Sequence, residues 1–181
     1  PLERWLNSHI FPAEQQHLSP ETVYTGTLLS CAEMMMSGTT CCCDGYFYED
    51  TVAAAFIESG LRGVLAQGVI DFAAPGVPDP LENVEIAVRF VEKWMNRSSL
   101  ITPSVFCHSP YTCSADTLKK AKKAADAMDV LFQIHVAETK AEVDRMRQAC
   151  GMSPVEYLDS LDVLDENTLV IVVSQSGETA D

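Results

Sequence analysis

The sequence is poor in positive charge: 12 lysines and arginines stand against 26 aspartates and glutamates, a formal net charge of -14. That balance removes the basic surface needed for a sequence-independent grip on nucleic acid phosphates or an anionic membrane. Long apolar runs are missing too. The stretch Cys31 to Cys43, uncharged apart from Glu33, is interrupted and too short to span a bilayer, and no charged-then-apolar leader opens the chain. These absences describe a soluble protein with neither nucleic acid nor membrane as partner, whose ligands are neutral or cationic small molecules.

No Cys-x-x-Cys pair occurs, which argues against a structural zinc knuckle. The seven cysteines, Cys31, Cys41, Cys42, Cys43, Cys107, Cys113 and Cys150, are odd in number, and three are consecutive. Consecutive strand residues point to opposite faces, so the triplet makes a poor disulfide framework. The expectation is a reducing cytoplasm, with Cys41, Cys42 and Cys43 as small buried apolar residues. Pro1 stands in place of Met, and the helix-start pattern before Asp181 never becomes a helix, so both ends read as cut. What is present, 181 residues of which 47% are apolar, suffices for one domain with a real core.

Apolar runs rich in β-branched residues alternate with longer segments of helical period, the mark of β/α units and a parallel sheet. Ser19-Pro20-Glu21 opens a helix that Gly38 ends, and a strand follows over Thr39–Asp44. Asp50–Ser59 is a helix closed by Gly60, Arg62–Ile70 a strand, and the loop Ala74–Pro80 delays a helix over Leu81–Asn96. The remaining strands are expected at Leu100–Cys107, Val130–Val136 and Thr168–Val173. A helix capped by Ser114 runs to Met128; Thr139-Lys140-Ala141-Glu142 reads as a capping box, and Ser153-Pro154-Val155-Glu156 repeats the device. Five such strands form either an open doubly wound sheet or part of an eight-stranded barrel, which when complete takes about 250 residues. Both place function at the C-terminal ends of the strands.

Three polar clusters fall at such ends: Cys107–Tyr111, His135–Glu138 and Ser174–Thr179. His135 closes an apolar run, where an imidazole needs a hydrogen bond or a metal. Glu138, just before a helix N-cap, can face the same mouth, which would pair a metal ligand with a proton carrier. His108 is either aimed into the mouth by Ser109-Pro110 or bonded to loop backbone. His9 and His17 read as surface residues, and Lys119, Lys120, Lys122 and Lys123 as a solvated helix face. Trp5, Phe90 and Trp94 read as core, and Glu156, Asp159, Asp162, Asp165 and Glu166 as an exposed helix and turn.

Five segments, Trp5–Glu14, Ser37–Thr40, His108–Tyr111, His135–Thr139 and Gly151–Leu158, come in an order and spacing that resembles the amidohydrolase superfamily. Within it the chain looks most like the methylthioadenosine/S-adenosylhomocysteine deaminases and their chlorohydrolase relatives. The resemblance covers roughly residues 1–169 and implies an α/β fold, an incomplete (β/α)8 TIM barrel of about five parallel strands with intervening helices. It implies that His135 binds a divalent metal, zinc or iron, that Glu138 is the catalytic proton shuttle, and that His108 contacts a nucleoside-like substrate. In that chemistry metal-bound water attacks the ring carbon bearing the amine, and ammonia leaves.

The departures carry as much weight. The family's His-x-His pair is absent, and one ligand cannot hold a catalytic metal, so the chain by itself is expected to be an inactive fragment whose missing ligands come from elsewhere. Gln67 and the neighbourhood of Pro80 stand where some relatives have arginines for the amino-acid end of adenosylhomocysteine. The resemblance therefore leaves the substrate open between a nucleoside without a carboxylate, another amino- or chloro-substituted ring, and a different mode of recognition. Residues 170–181 form a separate strand and loop of uncertain origin. They are similar to the phosphosugar loop of a sugar isomerase domain, with Ser174, Ser176 and Thr179 as phosphate contacts. The alternative function is a non-catalytic remnant or a phosphosugar-binding module. Open barrel edges would also favour self-association.

Overall fold

The computed structural model describes residues 2–169 and residue 171. Helices α1 (Leu2–Trp5) and α2 (Phe11–His17) are joined by a π-helical turn, Leu6–Ile10, and lead to the long α3 (Pro20–Met36). The α/β body then runs β1 (Cys41–Tyr46), α4 (Glu49–Ser59), β2 (Arg62–Val69), α5 (Asn83–Trp94), β3 (Ile101–Pro103), β4 (Val105–Cys107), α6 (Ala115–Met128), β5 (Phe132–Ile134), α7 (Lys140–Cys150) and α8 (Pro154–Ser160).

Local signals account for most of these boundaries. Ser19, Ser114 and Ser153 each accept the backbone N–H three residues on, as N-caps do. Gly60 and Gly151 end α4 and α7 in the left-handed conformation, at φ 77° and 75°.

Every strand pair is parallel, and the spatial order β1-β2-β4-β5 repeats the chain order, with β3 also on β2. A doubly wound sheet would reverse direction at a switch point; this one progresses steadily, as a barrel does. The expected strand Leu100–Cys107 is split at Ser104. Pro103 has no N–H to give the ladder, and Ser104 donates both its N–H (2.9 Å) and its hydroxyl (3.1 Å) to Leu65 O. The register survives the break: Gly63 faces Ile101, and Gly68 faces Phe106.

The core lies between the sheet and its helices. Phe56, Leu65, Leu118 and Leu158 are fully buried there, each worth roughly 1.5–3 kcal/mol of apolar burial. The inner face of the sheet is shaped by two glycines. A Cβ on Gly45 would lie 2.4 Å from the Phe106 ring, and one on Gly68 would lie 3.1 Å from Tyr46 O. Gly45 thereby makes room for the Phe106 ring, and Gly68 for the close backbone of Tyr46.

Two expectations fail, and a third lies largely outside the described residues. Trp5 is not core but 52% exposed, because neither the π-helical turn nor α2 buries any residue. Cys41 and Cys43 are exposed and Cys42 only half-buried: alternation turns Cys41 and Cys43 to the inner face with Gly45, away from the helical layer. Thr168, Leu169 and Ile171 lie in no strand, and the rest of the expected strand Thr168–Val173, with Ser174, Ser176 and Thr179, falls outside the described residues.

Candidate active site

His108 and His135 are the first residues beyond β4 and β5. Cys107 pairs with Ile134, so the two histidines are neighbours across adjacent parallel strands, and His135 N–H reaches His108 O at 3.3 Å. Alternation puts His108 on the face of Ser104 and Phe106, and His135 on that of Gln133; Gln133 donates to Ser104 Oγ at 2.7 Å. The imidazole rings stand 5.9 Å apart at 89°, and the Phe106 ring meets His135 edge-on at 5.1 Å. The structure thus brings His108 and His135 together at one mouth.

Exposure departs from the expectation for His135. Its apolar run predicts a buried imidazole, yet it and Glu138 are exposed, while His108 is half-buried. β5 is the edge strand of the described sheet, so its last residues lack a covering neighbour. Burial, then the neighbouring His135, hold the His108 imidazole below its ordinary pKa, and the charge of Glu138 pulls the other way. His108 is consequently neutral at neutral pH, within the electrostatic reach of Glu138.

Both loops are braced from behind. His108 Nδ1 is 2.9 Å from Thr112 Oγ1, which lies 2.7 Å from Ser109 Oγ. Ser109 and Pro110 are buried, and Arg145 stacks over Tyr111. Glu142 accepts from the backbone of Ala137 and Glu138. Only half of the capping box read at Thr139 therefore forms: Thr139 Oγ1 takes the Glu142 N–H at 3.1 Å, but the Glu142 carboxylate is engaged upstream.

Two groups went unread in the sequence. Asp71, just past β2, accepts from Ser114 N–H (2.6 Å), Thr117 Oγ1 (2.8 Å) and Asn83 Nδ2 (3.1 Å), tying the start of α6 to the start of α5. Burial alone would raise its pKa; the donors, led by Ser114, outweigh it and hold the carboxylate below its usual range. Glu49, at the start of α4, is fully buried against Asp44 of β1. Burial, then the Asp44 charge, push its carboxyl well above the ordinary range. An acid following a strand by a few residues is the only signal that could have pointed to either.

The metal reading can be weighed against the residues present. Among the described residues no three His, Cys, Asp or Glu side chains converge on a metal-sized site, and His9 and His17 are exposed on α2 and the turn before it. The described donors alone do not fit a metal.

A family model, that of the amidohydrolase family, matches residues 1–173. The chain belongs to the amidohydrolase family. It is 44% identical over 169 residues to the 5-methylthioadenosine/S-adenosylhomocysteine deaminase of Aquifex aeolicus, covering 93% of this chain and 39% of that protein. It is 42% identical over 170 residues to the 5'-deoxyadenosine deaminase of Methanothermobacter thermautotrophicus, with the same coverage of each. The crystal structure of an adenosine deaminase from Xanthomonas campestris with bound zinc superposes with a TM-score of 0.86 at 32% identity, over 90% of this chain and 37% of that one. The amidohydrolase chain thus spans about two-fifths of the length of these relatives, and its described residues form an open α/β segment of parallel strands of the barrel type. Gln67, where some relatives were expected to have an arginine, is buried, and its Oε1 accepts the Glu49 N–H at 3.3 Å. Among the described residues, no helix is long and apolar enough to cross a membrane.

Proposed function

We propose that this chain is part of a metal-dependent deaminase of nucleoside-like substrates, with His135 as one metal ligand, Glu138 as the proton carrier and His108 as the substrate contact. The observation that carries the reading is the pair of imidazoles at adjacent strand ends, 5.9 Å apart, with Glu138 close enough for its charge to act on His108. A neutral His108 offers a heterocycle a hydrogen bond without adding charge to the mouth. An exposed carboxylate on the next turn can take a proton and return it to a ring nitrogen or a leaving amine. The remaining metal ligands, zinc being the metal held by the structural relative, would come from outside the described residues, so this chain alone would be inactive. Residues 1–169 form the barrel segment of this reading, and residues 170–181 are set apart from it.

Gln67 favours a substrate that carries no carboxylate, such as methylthioadenosine or 5'-deoxyadenosine. Its amide oxygen is committed to the α4 backbone, its buried Nε2 has no hydrogen-bond partner, and it brings no charge to meet an amino-acid tail. The edge strands β1 and β5 leave backbone groups able to pair with further strands or a second copy.

The test is Glu138→Gln in the full-length protein, assayed on methylthioadenosine and S-adenosylhomocysteine. Turnover should fall about 10²- to 10⁴-fold, the usual worth of a positioned proton carrier, with zinc content unchanged and methylthioadenosine the better substrate of the parent enzyme. Loss of zinc would make Glu138 a ligand and overturn the assignment.

A further inference from the structure

The turn that carries Glu138 is strained, and one buried side chain holds it. Ala137 sits at φ 55°, the left-handed region that a residue with a Cβ occupies only when its surroundings impose it. Glu142, in the first turn of α7, is 3% exposed and sends its carboxylate back along the chain. Oε1 accepts the Ala137 N–H at 3.0 Å and Oε2 accepts the Glu138 N–H at 2.8 Å. Its own N–H is tied to Thr139 Oγ1 at 3.1 Å, so the residue is fixed at both ends. The placement suits a carboxylate. Two backbone donors and the positive end of α7 face its charge, with Tyr111 near enough to feel that charge. An amide could accept at one oxygen only and would set its NH₂ against the second backbone N–H.

We propose that Glu142 is a positioning residue: it pins the His135–Glu138 turn so that the Glu138 carboxylate is presented to the mouth shared by His108 and His135. This rests on the reading of Glu138 as proton carrier, but the clamp itself can be tested apart from it. The strain at Ala137 is the other half of the device. A glycine there would adopt the same turn without help, so the need for Glu142 and the Cβ of Ala137 should be coupled.

The experiment has two arms. In the 181-residue chain, amide hydrogen exchange at Ala137 and Glu138 should speed up by at least about tenfold in Glu142→Gln while amides in the β2 core are unchanged, as expected for a local opening. Unchanged exchange at both amides would overturn the clamp. In the full-length protein Glu142→Gln should lower kcat about 10- to 100-fold, the common cost of losing a supporting contact, with KM and zinc content within about twofold. Ala137→Gly added to Glu142→Gln should restore at least half of the lost kcat. A rise in KM or a loss of zinc content that the glycine does not rescue would show a general structural role and sink the proposal. If Glu138→Gln keeps full turnover while exchange still reports the clamp, the proton-carrier reading fails and the clamp stands.

Discussion

Two groups of ionisable side chains sit at strand ends of the same sheet and could hardly be treated more differently. At the ends of β4 and β5, His108 is half-buried and His135 and Glu138 are exposed. At the junctions after β1 and β2, Glu49 is sealed and Asp71 is covered by donors from α5 and α6. The first group has unspent hydrogen-bonding capacity aimed at an opening, as chemistry needs. In the second, Asp71 spends its capacity on the starts of α5 and α6, which is how a fold satisfies polar atoms it cannot leave in water, whereas the Glu49 carboxyl is sealed beside Asp44 with no hydrogen-bond partner at either oxygen. Ionisable residues at strand ends are therefore not a site by position alone; what decides is whether they are open to a ligand and whether their donors and acceptors are already used.

The sharpest way to break this contrast is to push on the glycine that lets the inner face close up. In Gly45→Ala the new Cβ would lie 2.4 Å from Phe106, whose ring also abuts His135. Overpacking of this kind costs about 1–3 kcal/mol, and Phe106→Leu in the same chain should recover much of it. Denaturant unfolding of the two single variants and the double variant measures the coupling; simple additivity would mean that Phe106 is not what Gly45 accommodates.

Next in size is Asp71→Asn. It replaces a charged acceptor of three donors by an amide with one acceptor oxygen, and should cost about 1–3 kcal/mol, since bonds to a charged group are worth more than neutral ones. The folded state holds the Asp71 pKa below its ordinary value. Its contribution is thus present above the unfolded carboxylate pKa and lost as pH falls through the folded one. The difference in melting temperature between parent and variant should shrink in acid; a constant difference across pH would show that the charge contributes nothing.

The smallest effect, of opposite sign, belongs to Glu49. Its pKa is raised on folding, by burial and then by Asp44, so its contribution is full below the unfolded carboxylate pKa and declines as pH rises toward the folded value. Glu49→Gln keeps the shape and removes the ionisation. It should flatten the loss of stability between acid and mildly alkaline pH, and melt above the parent at the alkaline end. Thermal melts in a pH series check this, and an unchanged slope would mean that burial beside Asp44 does not raise the Glu49 pKa on folding.

Much of the fold could be read from short stretches of chain. The serines and Thr139 that cap helices, the prolines behind Ser19 and Ser153, and the glycines that stop α4 and α7 act within four or five residues. The register that makes His108 and His135 neighbours follows from strand alternation once the sheet order is known, and their place at strand ends was legible. Their exposure was not. His135 looked buried because its run is apolar, yet apolar flanks cannot say whether a strand has neighbours on both sides. Cys41 and Cys43 failed for a related reason: a small apolar residue is buried only on the face that another layer covers. Trp5 has helical spacing, but spacing cannot supply a partner surface. Glu142 was read as the reciprocal half of a capping box, and its carboxylate instead turned to the strained backbone of Ala137 and Glu138, a choice made by a turn geometry that spacing does not encode.

The sequence by itself determined the alternation of strands and helices, the caps that bound them, and the order of motifs that marks an amidohydrolase, because these rest on backbone preferences and on side chains reaching only a few residues. The tertiary structure alone decided which acids are sealed and which are open, and which glycine yields to Phe106. It also decided which carboxylate braces the Glu138 turn. Each of these depends on atoms from distant parts of the chain meeting at hydrogen-bonding or van der Waals distance, and no local pattern carries that information.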